Sequence, residues 1–350
     1  MFNNKIKISN KIIEHNKCFI VAEISANHNK NFAILKKFLL ELKNTGVSAV
    51  KLQAYQANTI TIDNKSKDFL ISKQNTWSKY NNLYSLYKKA ETPIEWFPKI
   101  FKFCKKINLI VFASVFDQSN LKVLEKIKCP AYKIASPEIT DIPLIKKIAK
   151  TKKPIILSNG LADFSDLKLA VNTIKKKNKK LIILKCTSSY PANIKELNLK
   201  TMADIKKKFK CLSGYSDHTL GINAGIHAAS LGASMLEKHV KPNGVKSVDS
   251  FFSITIKQLK SMVKIIRENE KSNGIVSYEI AKSSKKNMNG RRSLYIVKNI
   301  KKGEKFTNNN LKSIRPCYGI HPKFLDLFLN KKSLKDIKHG SRLKWEHIKK

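Results

Sequence analysis

The 350-residue sequence predicts an α/β fold, a (β/α)8 barrel followed by a small second domain. Three patterns lead there. Short apolar stretches alternate with amphipathic ones through the first ~250 residues, as a parallel sheet with crossover helices requires. Polar residues gather at the C-terminal ends of those apolar stretches, where a barrel of the TIM type keeps its site. Beyond residue 270 the periodicity stops, and short strands and turns follow. A doubly wound open sheet has the same alternation, and strand count alone does not separate the two.

The elements follow in order. FIVAEIS (19–25) reads as a strand, and Ile34, Leu35, Phe38, Leu39 and Leu42 give the next stretch one apolar helical face, closed near Gly46. The next strands are AVKLQAY (49–55), LIVFASVF (109–116), AYKIASP (131–137) and PIILSNG (154–160). LIILKCTSSY (181–190), CLSGYSD (211–217) and MLEKHV (235–240) complete eight. Asp141 is placed to cap a helix with Pro143 in its first turn. Ile256, Leu259, Met262, Val263 and Ile266 mark the last long helix. The expected division is a barrel over 1–270, a linker over 271–290 and a compact domain over 291–350.

Composition narrows the class. Hydrophobic residues make up 42% of the chain, enough for a real core. Neither a leader-like start nor an apolar run approaching the ~18 residues of a membrane span is visible. Six scattered cysteines without a C-x-x-C pair read as reduced thiols of a cytoplasmic protein. The formal net charge is +44, but only five of the 69 basic residues are arginine. Nucleic-acid readers lean on arginine forks and aromatic stacking. Lysine runs such as IKKKNKKL (174–181) fit solvated helix faces instead, so neither nucleic acid nor membrane is expected as a partner. Their field would still attract an anionic small molecule.

The strand ends carry the chemistry. Glu23 and Ser25 end the first strand, and Lys51 and Gln53 sit two apart on the second. Ser114 ends the third; Lys133, Ser136 and Glu138 mark the fourth; Ser158 closes the fifth. Lys185 and Thr187 end the sixth, Ser216, Asp217 and His218 the seventh, Glu237 and His239 the eighth. Residues two apart share a face, so a barrel gathers such groups in one mouth. His218 and His239 end adjacent strands with carboxylates such as Glu23 and Asp249 nearby, a set that suits Mn²⁺ or Zn²⁺. His28 lies near the mouth, and His227 reads as structural. Lys51 and Lys133, with serines 114, 136, 158 and 216, offer charge and donors with no competing acid, which suits a phosphorylated carboxylate.

The motifs AEISANHN, KLQAY, AYKIASPE, LKCTSSYP, YSDHT, LEKHV and RRSLY…IRPCYGIHP together resemble the sialic acid synthase family across nearly the whole chain. SANHN, LYKKAETPIEW (86–96), VDSFFS (248–253) and IRPCYGIHPKF (314–324) are most similar to its pseudaminic acid branch. The resemblance implies a TIM barrel with a C-terminal antifreeze-like (SAF) domain. It implies a transferase that condenses phosphoenolpyruvate with an acetamido sugar to a nonulosonic acid and phosphate. The sugar of the pseudaminic branch is 2,4-diacetamido-2,4,6-trideoxy-L-altrose; N-acetylneuraminate and legionaminate synthases are the alternatives. His218 and His239 match the family's metal ligands, for Mn²⁺ with Mg²⁺ or Co²⁺ as alternatives. Lys51, Ser114, Lys133, Ser136, Ser158 and Ser216 match its phosphoenolpyruvate contacts. Glu23, Gln53, Tyr190 and Asp249 match residues that meet sugar and metal-bound water. In this family two chains swap their small domains, which would bring Arg315 to the sugar in the partner's barrel.

Within that mechanism Glu237 supports the histidine shell and Lys238, pointing the other way, is structural. Val115, Asn159, Ser188 and Cys317 depart from common family residues, but no metal ligand or lysine is lost. Two rival functions fit parts of the pattern. One is a Schiff-base aldolase using Lys133 or Lys185; the other is a basic nucleic-acid or surface binder on a barrel scaffold.

Overall fold

A computed structural model describes residues 1–348. The last two residues of the expected small domain, 349 and 350, lie outside the described residues. The chain divides into two compact units, Met1–Gly274 and Ile275–Lys350.

The first unit opens with an antiparallel hairpin, β1 (Ile6–Ile8) and β2 (Lys11–Ile13). Eight parallel strands follow: β3 (Phe19–Glu23), β4 (Ala49–Ala54), β5 (Val111–Val115), β6 (Tyr132–Ile134), β7 (Ile155–Ser158), β8 (Leu181–Cys186), β9 (Leu212–Asp217) and β10 (Met235–Lys241). Each pairs with the next, and β10 pairs with both β9 and β3. That closure excludes the open sheet and leaves a barrel with no free edge. All eight strands overlap the stretches read from the sequence. A short β11 (Ile254–Thr255) adds to the end of β10.

Helix starts are set by capping side chains that satisfy otherwise orphaned N–H groups. Asn31 accepts from Ile34, Asp117 from Asn120, Asp141 from Leu144 and Asp163 from Asp166. Thr255 and Gln258 form a reciprocal cap on the helix Ile256–Asn273, which runs three residues into the expected linker. Among the described residues no helix is long and apolar enough to cross a membrane.

The second unit begins with Ile275, Val276 and Tyr278, which are 87%, 91% and 99% exposed. Its antiparallel pair β12 (Ser293–Ile296) and β13 (Leu311–Ile314) packs in a core with Ile300, Phe306, Phe328, Ile337 and Leu343.

Candidate active site

Parallel pairing aligns inward-facing residues of neighbouring strands into rows. His239 lies opposite Glu23, and Glu23 opposite Lys51. Gln53 lies opposite Ser114, and Ser114 opposite Lys133. Cys186 lies opposite Ser216, and Ser216 opposite Glu237. Ser158 stands level with Leu184 on the same inner face. Polar side chains therefore line the upper barrel, nearly all of them buried, with Gln53 only half-buried.

Lys51 is the hub. Its Nζ lies 2.6 Å from Glu23 Oε2 and 3.7 Å from Glu237 Oε1, and donates to Ser114 Oγ at 2.8 Å. The expectation that no acid competes for the lysines is therefore wrong. The carboxylates of β3 and β10 face the same space as Lys51, because period two turns residues 23, 51 and 237 inward together. Burial, with repulsion from Glu237, pushes the Glu23 carboxyl up to about 7 against the pull of Lys51. Burial also opposes the Glu237 charge, but Lys51, Lys133 and the Ser216 hydroxyl outweigh it and hold that carboxyl below its usual range. Glu237 thus belongs to the lysine network, bonded to Ser216 at 3.1 Å, rather than to the imidazole it was expected to support. Lys133 Nζ donates to the Ile134 carbonyl at 3.1 Å, and burial lowers its pKa.

The two histidines meet. The ring centroids of His218 and His239 are 5.3 Å apart, with planes inclined by 64°. His218 Nδ1 lies 3.0 Å from the Thr187 carbonyl, which can only accept, so Nδ1 carries a proton and Nε2 is the nitrogen left for an ion. Burial, with repulsion from His218 and Lys51, holds His239 well below the usual histidine range, and its Nδ1 is buried without a hydrogen-bond partner. Two imidazoles that face one another, one with an orphaned ring nitrogen, fit a transition ion. Among the described residues no cluster of three His, Cys, Asp or Glu donors converges, so most coordination positions would be left to substrate and water.

Asp249 is buried and accepts from the Ser25 hydroxyl and, at 3.5 Å, from the Ala26 N–H; burial raises its pKa. The Tyr190 ring lies 4.4 Å from His218, and Phe252 lies 4.7 Å from His239. Trp77, carried by the long connection after β4, packs against Tyr190 and donates to the Val248 carbonyl. An aromatic wall so flanks both imidazoles. Ser136 Oγ accepts from the Gly160 N–H at 2.9 Å. A Cβ at Gly160 would stand 2.2 Å from Ser188 Oγ and 2.9 Å from Ser136 Oγ, so a larger residue would displace both hydroxyls.

Two expected mouth residues point elsewhere. Lys185 and Asp217 leave the mouth, because the inward set of β8 is 182, 184 and 186 and that of β9 ends at 216. Lys185 pairs across with Tyr215 and donates to its neighbour's carbonyl. His28 bonds Thr92 Oγ1 at 2.9 Å and packs edge-on to Trp96, tying SANHN to the AETPIEW block. Arg315 is exposed in the second unit, just after β13.

Cys186 does not stand out in the sequence, as one thiol among six. It is buried in the mouth, with Sγ 3.6 Å from Ser188 Oγ and 3.7 Å from His218 Nδ1. Strict alternation from Ile182 would have placed it there. Trp77 gives no such signal, since it lies in an aperiodic stretch.

Glu138 follows β6 in the 3-10 turn Pro137–Thr140, half-buried, with Oε2 buried and unpartnered. Burial raises its carboxyl to about 7, partly offset by Lys133. A carboxyl whose pKa is raised on folding adds stability below its unfolded value, and that contribution disappears as pH climbs through about 7. Its share of stability should therefore fall by up to ~3 kcal/mol between about pH 4.5 and 7.5. Urea unfolding across this range should show a shallower pH slope for Glu138→Gln than for the parent; an unchanged slope refutes the assignment.

The NeuB family model matches residues 39–278, and the SAF domain model matches residues 291–349. Over 333 residues the chain is 41% identical to a pseudaminic acid synthase of Helicobacter pylori, covering 94% of this chain and 97% of the relative. It is 34% identical to an N,N'-diacetyllegionaminic acid synthase of Campylobacter jejuni, covering 94% and 99%. The crystal structure of an N-acetylneuraminic acid synthetase from Leptospira borgpetersenii superposes with a TM-score of 0.70 at 30% identity, covering 82% and 96%. On the family match and the full-length relatives together, this chain belongs to the NeuB family.

Proposed function

We propose that the protein is a pseudaminic acid synthase, condensing phosphoenolpyruvate with 2,4-diacetamido-2,4,6-trideoxy-L-altrose to give pseudaminic acid and phosphate. The observation that carries this reading is full-length similarity, 41% identity, to a protein of that name. The buried ring of lysines and serines beside two imidazoles supports it. The legionaminic acid synthase match keeps that sugar as the second reading.

The residues divide the work. Lys51 and Lys133, with the hydroxyls of Ser114, Ser136, Ser158 and Ser216, hold the phosphate and carboxylate of phosphoenolpyruvate. The Ser158 hydroxyl is buried without a partner, a donor waiting for an acceptor. His218 and His239 would hold a divalent ion, Mn²⁺ with Mg²⁺ or Co²⁺ as alternatives, which when bound supplies Lewis-acid polarisation of the sugar's aldehyde oxygen. Gln53, Tyr190 and Asp249 orient the open-chain sugar. Carbon 3 of phosphoenolpyruvate then bonds to the aldehyde carbon as the C=O π pair moves onto oxygen, which becomes a hydroxyl with the proton that water gives up, and positive charge is left at carbon 2. Glu23 Oε1, buried and unpartnered, takes a proton from the water that adds there. The C–O bond to phosphate breaks as the added oxygen forms C=O at carbon 2, its proton leaves with the phosphate, and the two lysines neutralise the departing charge. Tyr190, Phe252 and Trp77 exclude bulk water from the intermediate.

The assembly is proposed as a domain-swapped homodimer. Leu161, Ile194 and Leu220 follow β7, β8 and β9 as exposed apolar side chains on one rim of the barrel, a surface a second copy would cover.

The decisive experiment measures phosphate release from phosphoenolpyruvate with the altrose, legionaminic-type and N-acetylmannosamine substrates, with and without chelator. The expected result is release with the altrose that chelator stops and Mn²⁺ restores. Faster release with another sugar reassigns the substrate; release that ignores chelation removes the ion.

A further inference from the structure

The outer face of the barrel carries a buried ion pair that the proposed reaction does not use. Lys238 Nζ lies 2.8 Å from Asp217 Oδ2, and both side chains are essentially inaccessible to solvent. The same ammonium donates to the Thr219 carbonyl at 2.5 Å and approaches Thr219 Oγ1 at 3.4 Å. Asp217 Oδ1 in turn accepts from the Thr219 N–H at 2.9 Å and from its hydroxyl at 2.8 Å. Helix Asn223–Ser230 covers the cluster, and a Cβ at Gly225 would stand 3.3 Å from Asp217 Oδ2.

The sequence positions matter most. Asp217 and Thr219 flank His218 on both sides, and Lys238 immediately precedes His239. Alternation turns the two imidazoles into the mouth and the ion pair outward. The regular pairing of β9 with β10 ends at Asp217–Lys238, so His218 sits where the ladder has stopped. Beyond that point the His218 carbonyl accepts from the Ala192 N–H at 3.0 Å, and the Lys238 ammonium is bonded to the residues on both sides of it.

We propose that Asp217, Lys238 and Thr219 form a staple outside the barrel that fixes the spacing of His218 and His239, and so sets affinity for a divalent ion. These are positioning residues: none reaches the mouth. The inference rests on the metal reading of the two histidines. A buried pair is weak evidence for stability, because well-packed neutral residues of similar volume often serve as well. Groups that orient metal ligands, by contrast, typically contribute ~10–100-fold in affinity. Cutting the staple loosens the backbone on both sides of His218 and removes that contribution.

The test uses the metal-stripped full-length chain with the double variant Asp217→Asn/Lys238→Met, which leaves no unpaired buried charge, and with Thr219→Val, which keeps the ion pair. Mn²⁺ binding is read from loss of the free-ion electron paramagnetic resonance signal, and thermal unfolding is followed with and without Mn²⁺. The double variant should bind Mn²⁺ at least about tenfold more weakly. Thr219→Val should show a smaller loss, and phosphoenolpyruvate binding should be unchanged in both. The single variant Asp217→Asn, which keeps Lys238 and its bond to the Thr219 carbonyl, should retain part of the affinity that the double variant loses. A purely structural role predicts a lower unfolding temperature with unchanged Mn²⁺ affinity, and that result overturns the proposal. If the double variant fails to fold, Thr219→Val decides, and parental affinity there overturns it. A parent chain that binds no Mn²⁺ overturns the metal reading, and the staple with it.

Discussion

Replacing Lys51 by Met is expected to lower kcat/KM for phosphoenolpyruvate by ~10²–10³-fold, mostly through loss of substrate binding. The same change should destabilise the fold by roughly 3–5 kcal/mol, because it strands buried carboxylates. The reason lies in the contacts. Lys51 bridges Glu23 and Glu237 across three adjacent strands and also donates to Ser114. With it gone, two buried carboxylates remain with Lys133 as the other charged neighbour that stabilises both. Protonation of Glu23 is the cheapest relief, since burial already raises its carboxyl to about 7. The stability loss should therefore shrink toward acid pH, as protons replace the missing ammonium. A Lys51→Met/Glu23→Gln double variant should recover much of the stability and none of the binding. Urea midpoints and isothermal titration with phosphoenolpyruvate separate the two effects. A Lys51→Met variant that keeps parental affinity for phosphoenolpyruvate would remove the lysine from the phosphate site.

Much of this site is legible in the sequence, for a physical reason. A barrel strand is short, parallel and buried on both sides, so a charged residue near its C-terminal end has few explanations besides the mouth. Glu23, Lys51, Ser114, Lys133, Ser216 and His239 all follow from that rule, and register then places them in rows. Where the rule is applied without counting parity it fails. Lys185 and Asp217 sit one residue from inward positions and turn outward, and Cys186 turns in. Partnerships between strands are less visible. Nothing in MLEKHV says that Glu237 joins a lysine while Lys238 joins Asp217. Such pairs depend on which strand lies alongside and at what height, which is a property of closure. Trp77 is invisible for another reason: the connection that carries it has no period, and its place over Tyr190 follows from packing alone.

Replacing His239 by Asn separates chemistry from binding in a way the Lys51 change does not. Turnover should fall on the order of a thousandfold, while phosphoenolpyruvate affinity stays near the parent value. The imidazole occupies the row of Glu23 and Lys51, yet its ring neighbours are His218, Tyr190 and Phe252. Its Nδ1 is orphaned, so removing it strands no other polar group, and the fold should tolerate the change better than Lys51→Met. Mn²⁺ affinity should drop with turnover; if Mn²⁺ affinity is unaffected, His239 is not a ligand. The same variant tests the proposed exchange of small domains. Arg315 is exposed after β13 in the second unit, so its guanidinium is open to a partner. Chains with Arg315→Ala supply intact histidines, and chains with His239→Asn supply intact arginine. In a swapped heterodimer one mouth of the two receives both, so mixing the inactive chains after unfolding and refolding should restore activity. Heterodimers proven by differential tags that stay inactive would place Arg315 outside the partner's barrel and leave each mouth to be completed by its own chain.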